Sequence, residues 1–354
     1  MSSPYIDEHQ TIIAVMGTTG VGKSTFINYA TEGGAEIGQN LTSCTADCAA
    51  YRIPETDVWL IDTPGFDDTT RSDAKILEEI NRCLTEYFMR KARVTGVIYV
   101  HAITEPRMRG SAMKNLRMFR QVVGDEHMKH CSLVTTKWSK QNKDLSQTRE
   151  DELRNGDTFW KPLLKKGATI KQFNDTKKSA MEIIAPFTLC DKFLMKLTKE
   201  YNLEGKPLDM TDAGREVSDD IEKAKKAHKE EIALLKEERA RALKDKDDEM
   251  IKLIDDERRQ LQSKVDEMKE GQELLKKTLA DEKQELEQRF ERDRETRERD
   301  KKNLVNKAWR IAARTTVIGV GGAAIVASGG FAAPAAVLLY ARLEAALQNE
   351  KDNE

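Results

Sequence analysis

Gly17-Thr18-Thr19-Gly20-Val21-Gly22-Lys23-Ser24 fits the pattern G-x-x-x-x-G-K-[ST] in full, and its setting decides the fold. Ahead of it, Thr11-Ile12-Ile13-Ala14-Val15-Met16 is a short apolar run suited to a buried strand, and residues 23–31 behind it suit a helix. In a strand–loop–helix setting the glycines let backbone N–H groups curl around an anion. The helix N-terminus adds partial positive charge, and the lysine reaches the β- and γ-phosphates of a nucleotide. Gly17, Thr18, Thr19, Gly20, Val21, Gly22, Lys23, Ser24 and Thr25 are therefore the expected phosphate-binding residues, with the Ser24 hydroxyl assigned to Mg2+.

Around this loop, residues 1–200 alternate short apolar runs with amphipathic stretches. Strands are expected at 49–53, 58–61, 96–103, 131–135 and 168–173, and helices near 23–31, 72–92, 111–123, 147–165 and 179–199. Such alternation implies an α/β domain: a mostly parallel sheet with helices on both faces and a ligand at the carboxyl ends of its strands. Asp62-Thr63-Pro64-Gly65 follows the strand at 58–61 and matches D-x-x-G, 39 residues after Lys23. Asp62 is expected to hold Mg2+ through its water shell, and the Gly65 N–H to contact a γ-phosphate and lose it on hydrolysis. Between the two motifs, Leu41-Thr42-Ser43-Cys44-Thr45 is polar and loop-like. Thr45 is the expected switch threonine and Mg2+ ligand, with Thr42 as the alternative. Lys23, Thr45 and Gly65 are the residues expected to serve catalysis.

The remainder of the chain has a different composition. Residues 201–216, with Gly205, Pro207 and Gly214, resemble a linker, and residues 217–314 contain no Pro and a single Gly, Gly271. A 3-4 spacing places Ile254, Leu261, Val265, Met268, Leu275, Leu279 and Leu286 among eleven seam positions, which supports a coiled coil; upstream the spacing is weak. Read as one helix, that span is a stalk of roughly 150 Å. Residues 315–341 carry no charge over 27 positions, more than the roughly 20 needed to cross a bilayer. Basic residues precede the run and mostly acidic ones follow in 342–354, as for a cytosolic N-terminal part. Gly and Ala are frequent and Pro334 interrupts it, so a tail anchor, a membrane-inserted hairpin and a soluble small-residue packing segment all suit the pattern.

Bulk composition narrows the partners. Charged residues make up 34% of the 354 positions, yet the net charge is −2, which does not suit a binder of nucleic acid. Five cysteines form no C-x-x-C pair, and no hydrophobic leader is evident, so a reducing, cytoplasmic setting is expected. Cys44-x3-Cys48 lacks a second ligand pair and is read as structural.

Taken together, residues 17–25, Ser43-Cys44-Thr45, Asp62-Thr63-Pro64-Gly65-Phe66-Asp67-Asp68 and Val134-Thr135-Thr136-Lys137-Trp138 resemble the GIMAP-like, septin-related branch of P-loop GTPases. The fungal proteins with a related G domain are the nearest in character, through residues 103–119, which include Pro106-Arg107-Met108-Arg109-Gly110-Ser111. The resemblance covers residues 11 to about 195 and implies GTP and GDP as ligands. It further implies Thr136 and Lys137 at the base, pairing of G domains into a homodimer or higher oligomer, and membrane attachment in some relatives. Ser179-Ala180 stands where the family's base-contacting loop is expected.

Two departures matter. The guanine-reading motif is [NT]-K-x-D, whose carboxylate takes two hydrogen bonds from the base, whereas Thr136-Lys137-Trp138-Ser139 ends in serine. A hydroxyl cannot accept two parallel bonds, so guanine selectivity should fall or be rebuilt by other residues. Phe66 follows Gly65 where a Ras-like enzyme carries its water-orienting glutamine, so unaided hydrolysis is expected at or below about 10⁻³ s⁻¹. Arg107 and Arg109 suit either arginine fingers toward a second G domain or structural ion pairs; His101 suits packing better than base catalysis. The expectation is a Mg2+-dependent GTP-binding switch on a helical stalk, on a cytosolic membrane face if the apolar run inserts. The alternatives are a scaffold with a degenerate nucleotide site and an ATP-using P-loop enzyme.

Overall fold

A computed structural model describes residues 10–33, 48–65, 71–105, 110–140, 142–245 and 247–276, with isolated helical positions up to residue 302. The chain divides into two compact units, residues 1–286 and 287–354; of the second, Gln288, Glu291, Arg292, Arg299 and Lys302 are described, each helical.

Strand β1 (Thr11–Met16) lies at the centre of a six-stranded sheet. Its alternation shows why: Ile12, Ala14 and Met16 enter one apolar cluster and Ile13 and Val15 the other, one on each face of the sheet. The same period of two recurs in the later strands. Trp59 and Ile61 of β3 (Val58–Asp62) oppose Leu60, Tyr99 of β4 (Gly96–Ala102) opposes Ile98 and Val100, and Leu133 of β5 (Cys131–Thr136) opposes Val134. With β2 (Ala49–Arg52) and β6 (Thr169–Gln172) the order is β2-β3-β1-β4-β5-β6. Only β2 runs antiparallel, against β3; every other neighbouring pair is parallel. The alternation of strands with helices along the chain is what made the parallel sheet predictable.

Helix α1 (Lys23–Thr31) covers one face through Phe26, Ile27 and Ala30. Helices α2 (Asp73–Met89) and α3 (Gly110–Val123) cover the other, through Ile76, Leu77 and Ile80, and through Leu116, Phe119 and Val122. The helix expected over 147–165 forms two pieces, α4 (Lys143–Asn155) and α5 (Lys161–Lys165). Gly156 ends the first, and Pro162, which has no N–H to bond, suits the start of the second. The helix expected over 179–199 also divides: α6 (Lys177–Ile184) gives way at Pro186 to a 3-10 turn, and a single turn, α7 (Lys196–Thr198), follows.

Beyond residue 200 the structure corrects the sequence reading. Residues 201–216 are not a loose linker: Tyr201, Leu208 and Ala213 are buried in the main core. Gly214 sits so close to the backbone carbonyl of Leu208 that a side chain there would collide with it. The expected stalk is not one helix either. α8 (Asp212–Asp245) is followed by α9 (Asp248–Leu275), whose N-terminus is capped by the Asp247 side chain accepting from the Met250 N–H at 2.9 Å. The two helices pack as a hairpin: Leu235 and Ala242 of α8 share a cluster with Ile254 and Leu261 of α9, and Arg239 pairs with Asp255 at 2.7 Å.

The seam forecast at Ile254, Leu261, Val265 and Leu275 is buried, but its partners lie within the chain. The C-terminal end of α9 joins the main core through Leu275. Gly271 meets α2, where an added Cβ would stand 3.2 Å from the Cβ of Ala74, so the one glycine of the charged span permits a helix crossing. Lys114 of α3 ties this side together, reaching Asp73 of α2 at 2.5 Å and Asp220 of α8 at 3.0 Å. No described helix is long and apolar enough to cross a membrane. Residues 315–341, where a membrane segment was expected, lie outside the described residues.

Candidate functional site

At the carboxyl end of β1 the chain turns through Gly17, with φ 143°, and passes Gly20 and Gly22 at φ 80° and 106° before entering α1. Such φ values favour glycine. Among helices of eight or more residues whose cap is described, α1 differs in its start. α2, α4, α6 and α9 each close their first turn with a side chain, from Ser72, Asn142, Thr176 and Asp247 respectively. α1 begins at Gly22 with no side-chain cap and no acidic residue in its first turn. Its leading N–H groups are thus offered to an external anion at the positive end of the helix.

Lys23 is buried at this mouth and donates to the carbonyls of Gly17 and Thr18, each at 3.0 Å. Ser24 Oγ donates to Asp62 Oδ2 at 3.1 Å across the junction of α1 and β3. The second oxygen, Asp62 Oδ1, is buried and has no hydrogen-bond partner among the described residues. Burial pushes the Asp62 carboxyl above the usual carboxylate range, while the Lys23 charge and the Ser24 hydrogen bond pull it back. A hydroxyl beside a carboxylate with an unmatched buried oxygen fits a hard divalent cation, which favours oxygen ligands. The residues present therefore fit Mg2+.

Gly65 lies against the phosphate loop. A Cβ at this position would stand 2.6 Å from the Thr19 backbone nitrogen and 2.8 Å from the Gly17 carbonyl oxygen, inside contact distance. The D-x-x-G turn is held there by Thr63, whose N–H and hydroxyl both donate to the Val15 carbonyl, at 3.2 and 3.0 Å. Lys23, Ser24, Asp62 and Gly65 are thus brought together from two segments 38 or more residues apart. Thr45 and Thr42 lie outside the described residues, as do Phe66, Arg107 and Arg109.

The loop after β5 is fastened to the phosphate loop. Thr136 Oγ1 donates to the Val21 carbonyl at 2.6 Å, and Lys137 Nζ to the Gly20 carbonyl at 2.6 Å. Beneath it runs a partly buried chain of hydrogen bonds. Trp138 Nε1 donates to Thr135 Oγ1 at 3.0 Å, Thr135 Oγ1 donates to Glu150 Oε1 at 3.0 Å, and Gln172 Nε2 donates to Glu150 Oε2 at 2.8 Å. The chain spans β5, α4 and β6 and fixes the turn that carries Ser139. Ser139 Oγ in turn donates to Asp175 Oδ2, 3.1 Å away, in the loop after β6. His101 is buried and its imidazole is pushed down to about 4 by burial, so it is neutral near pH 7; its ring packs edge-on to Trp160. It is a packed histidine.

Ser179 and Ala180 need correction as base contacts. Both lie inside α6, where the Ser179 N–H donates to Thr176 Oγ1 at 3.1 Å and the Ala180 N–H to the Thr176 carbonyl at 3.1 Å. Their amides are spent on the helix. The hydroxyl of Ser179 instead accepts from the Asn174 N–H at 3.2 Å, bracing the loop that carries Asp175. Sequence reasoning missed Asp175 and Glu150. The available signal was an acidic residue at the carboxyl end of the strand next to β5; Glu150 left none, because its role depends on packing between α4 and β6.

Residues 12–137 match the family described as 50S ribosome-binding GTPase, and this stretch carries the P-loop GTPase G domain. A curated relative, the probable FAD-binding monooxygenase ltbD of Aspergillus luteorubrus, is 28% identical over 131 residues. The match covers 36% of this chain but only 26% of that protein. Among solved structures, Toc33 of Arabidopsis thaliana with Mg2+ and GMPPNP is 18% identical, over 48% of this chain and 72% of that one, with a TM-score of 0.35. The cytosolic domain of the FeoB iron transporter of T. maritima in its GDP form is 16% identical over 56% and 70%, with a TM-score of 0.35. SelB of Methanococcus maripaludis with a GTP analogue is 14% identical over 53% and 36%, with a TM-score of 0.33.

Proposed function

We propose that this chain, whose P-loop G domain includes residues 12–137, is a Mg2+-dependent GTP-binding switch with slow unaided GTP hydrolysis. The observation that carries the reading is the uncapped start of α1, with Lys23, Ser24, Asp62 and the Gly65 backbone converging on it. An anion placed there meets helix N–H groups and a buried ammonium, which is the recognition a nucleotide triphosphate needs. Ser24 and Asp62 would hold Mg2+, together with Thr45 from the segment between the two motifs. Bound Mg2+ would neutralise developing charge on the phosphates.

Catalysis then falls to positioning. Lys23 holds positive charge at the phosphate end, and Gly65 lets the backbone after Asp62 approach the loop without a side chain in the way. Phe66 offers no group to orient water, so a second molecule is the natural source of the missing function, with Arg107 or Arg109 as candidates for an arginine finger. Pairing of G domains would therefore accelerate turnover. Attachment of the apolar run 315–341 to a cytosolic membrane face belongs to the same proposal.

The alternative scaffold reading draws on Ser139 and Phe66. A scaffold joined through the 254–275 seam is disfavoured, because that seam is buried inside the chain.

The test is a titration of fluorescent GTP, GDP and ATP onto the full chain with and without Mg2+, followed by single-turnover hydrolysis at rising protein concentration. The expected result is Mg2+-dependent triphosphate binding and a rate per molecule that climbs with concentration. Binding of none of the three nucleotides would leave the scaffold; a rate independent of concentration would remove the pairing.

A further inference from the structure

We propose that Asp175 reads the guanine base, supplying from the loop after β6 the carboxylate that Ser139 lacks. The inference rests on the GTP reading above and adds the residue that sets base selectivity.

The geometry starts from the motif lysine. Lys137 Nζ is bonded to the Gly20 carbonyl and Thr136 Oγ1 to the Val21 carbonyl, so residues 136–139 are tied to the same loop that faces the phosphates. From that fixed turn Ser139 Oγ reaches Asp175 Oδ2 at 3.1 Å. A carboxylate oxygen therefore stands one hydrogen bond beyond the motif's fourth side chain. β5 and β6 are parallel neighbours, so the two loops leave the sheet at the same carboxyl end.

The loop around Asp175 is built to present that residue. Its φ is 51°, a left-handed conformation that Asp tolerates better than most residues and that is found where surrounding structure enforces it. Enforcement comes from both sides. Asn174 N–H is bonded to Ser179 Oγ, and Thr176 caps α6 through its side chain. Phe173, immediately upstream, is fully buried and packs edge-on against Phe26 of α1, with ring centroids 5.2 Å apart. α1 begins at the phosphate loop, so this contact ties the base loop to the helix that receives the phosphates. Asp175 itself remains partly exposed.

The chemistry suits guanine. Its Watson–Crick edge offers N1–H and the N2 amino group as two parallel donors, and a carboxylate has about four acceptor positions, of which Ser139 fills one. Adenine offers an unprotonated N1 at the corresponding place, so a carboxylate there repels it as well as failing to bond it. Serine thus becomes the residue that orients the carboxylate, its single proton directed at Oδ2.

The experiment measures binding of fluorescent GTP, XTP and ATP with Mg2+ to the full chain and to Asp175→Asn. Asparagine keeps the shape but offers one acceptor and one donor, which match the N1–H and C2 carbonyl of xanthine. The variant should lose about 10-fold or more in GTP affinity, gain affinity for XTP, and hold ATP within about 2-fold. Asp175→Ala should lose GTP preference, and Ser139→Asp in that background should restore it by returning a carboxylate to the motif. Asp175→Asn with unchanged ratios among the three nucleotides would overturn this inference alone, as would equal binding of GTP and ATP by the native chain. No binding of any nucleotide by the native chain would overturn the GTP reading and this inference together.

Discussion

The two ends of the nucleotide site are built by different means. At the phosphate end the groups come from motifs contiguous in sequence, residues 17–24 and 62–65, and their side chains meet directly, as in the Ser24–Asp62 contact. At the base end the contiguous motif stops short at Ser139, and the carboxylate arrives from Asp175, 36 residues away. The phosphate end depends on backbone curvature and one helix start, which local sequence specifies. The base end depends on how two neighbouring strands leave the sheet. A chemical requirement can thus be met either by a residue in its motif position or by one bonded to that position.

The contrast predicts different kinds of failure. Lys23→Ala should produce the largest effect, a fall of about 100-fold or more in affinity for GTP and XTP alike, since removing one partner of a buried charge pair costs 2–5 kcal/mol or more. Titration of the variant with both nucleotides checks it; a loss confined to one base would blur the division between the two ends. Gly65→Ala comes next. Its methyl would press on the backbone of Thr19 and Gly17, and overpacking of this kind costs about 1–3 kcal/mol. Chemical denaturation should show that loss, accompanied by weaker triphosphate binding, and native-like values for both would mean the turn can move away.

The helical hairpin extends the comparison to a third region. Gly271→Val drives a branched side chain toward Ala74, so α9 should loosen from α2 at a cost of about 1–2 kcal/mol, reduced by the better helix propensity of valine over glycine. Limited proteolysis of the full chain should then cut α9 faster than in the native protein while the G domain persists. Equal cleavage rates would show that the crossing tolerates the bulk.

The smallest effect belongs to Asp62. Its folded-state value is raised, so the folded protein holds this proton more tightly than the unfolded chain. The contribution to stability is fully present below the ordinary carboxylate value of 3.8 and is lost as pH rises through the folded-state value. Without nucleotide or divalent cation, Asp62→Asn should therefore melt slightly higher than the native chain near pH 7 and equal it near pH 3. Added Mg2+ and nucleotide should close that gap, because a cation makes the charged form favourable. A native chain that gains on Asp62→Asn as pH rises across this window would contradict the sign.

Much of the G domain was legible because its signals are local. Short apolar runs placed the strands, a gapless phosphate-loop pattern placed α1, and D-x-x-G placed Asp62 at the end of β3. The charged span misled for a physical reason. Heptad spacing at Ile254, Leu261 and Val265 says that these residues will be covered, and they are, but periodicity carries no information about which surface covers them. The chain reverses between α8 and α9, so the cover over Ile254 and Leu261 is α8 rather than a second molecule. Gly271, the single glycine of the charged span, is the point where α9 can approach α2. Ser179-Ala180 matched a short pattern, yet Thr176 had already started a helix and consumed both amides.

Sequence by itself determined the strands of the sheet, the phosphate loop and the acidic turn beside it, because each is specified by residues within a few positions of one another. The tertiary structure alone decided the fate of the hairpin and the pairing of Ser139 with Asp175. Both depend on contacts between segments distant in the chain, which closure of the sheet and packing of its covering helices bring into reach.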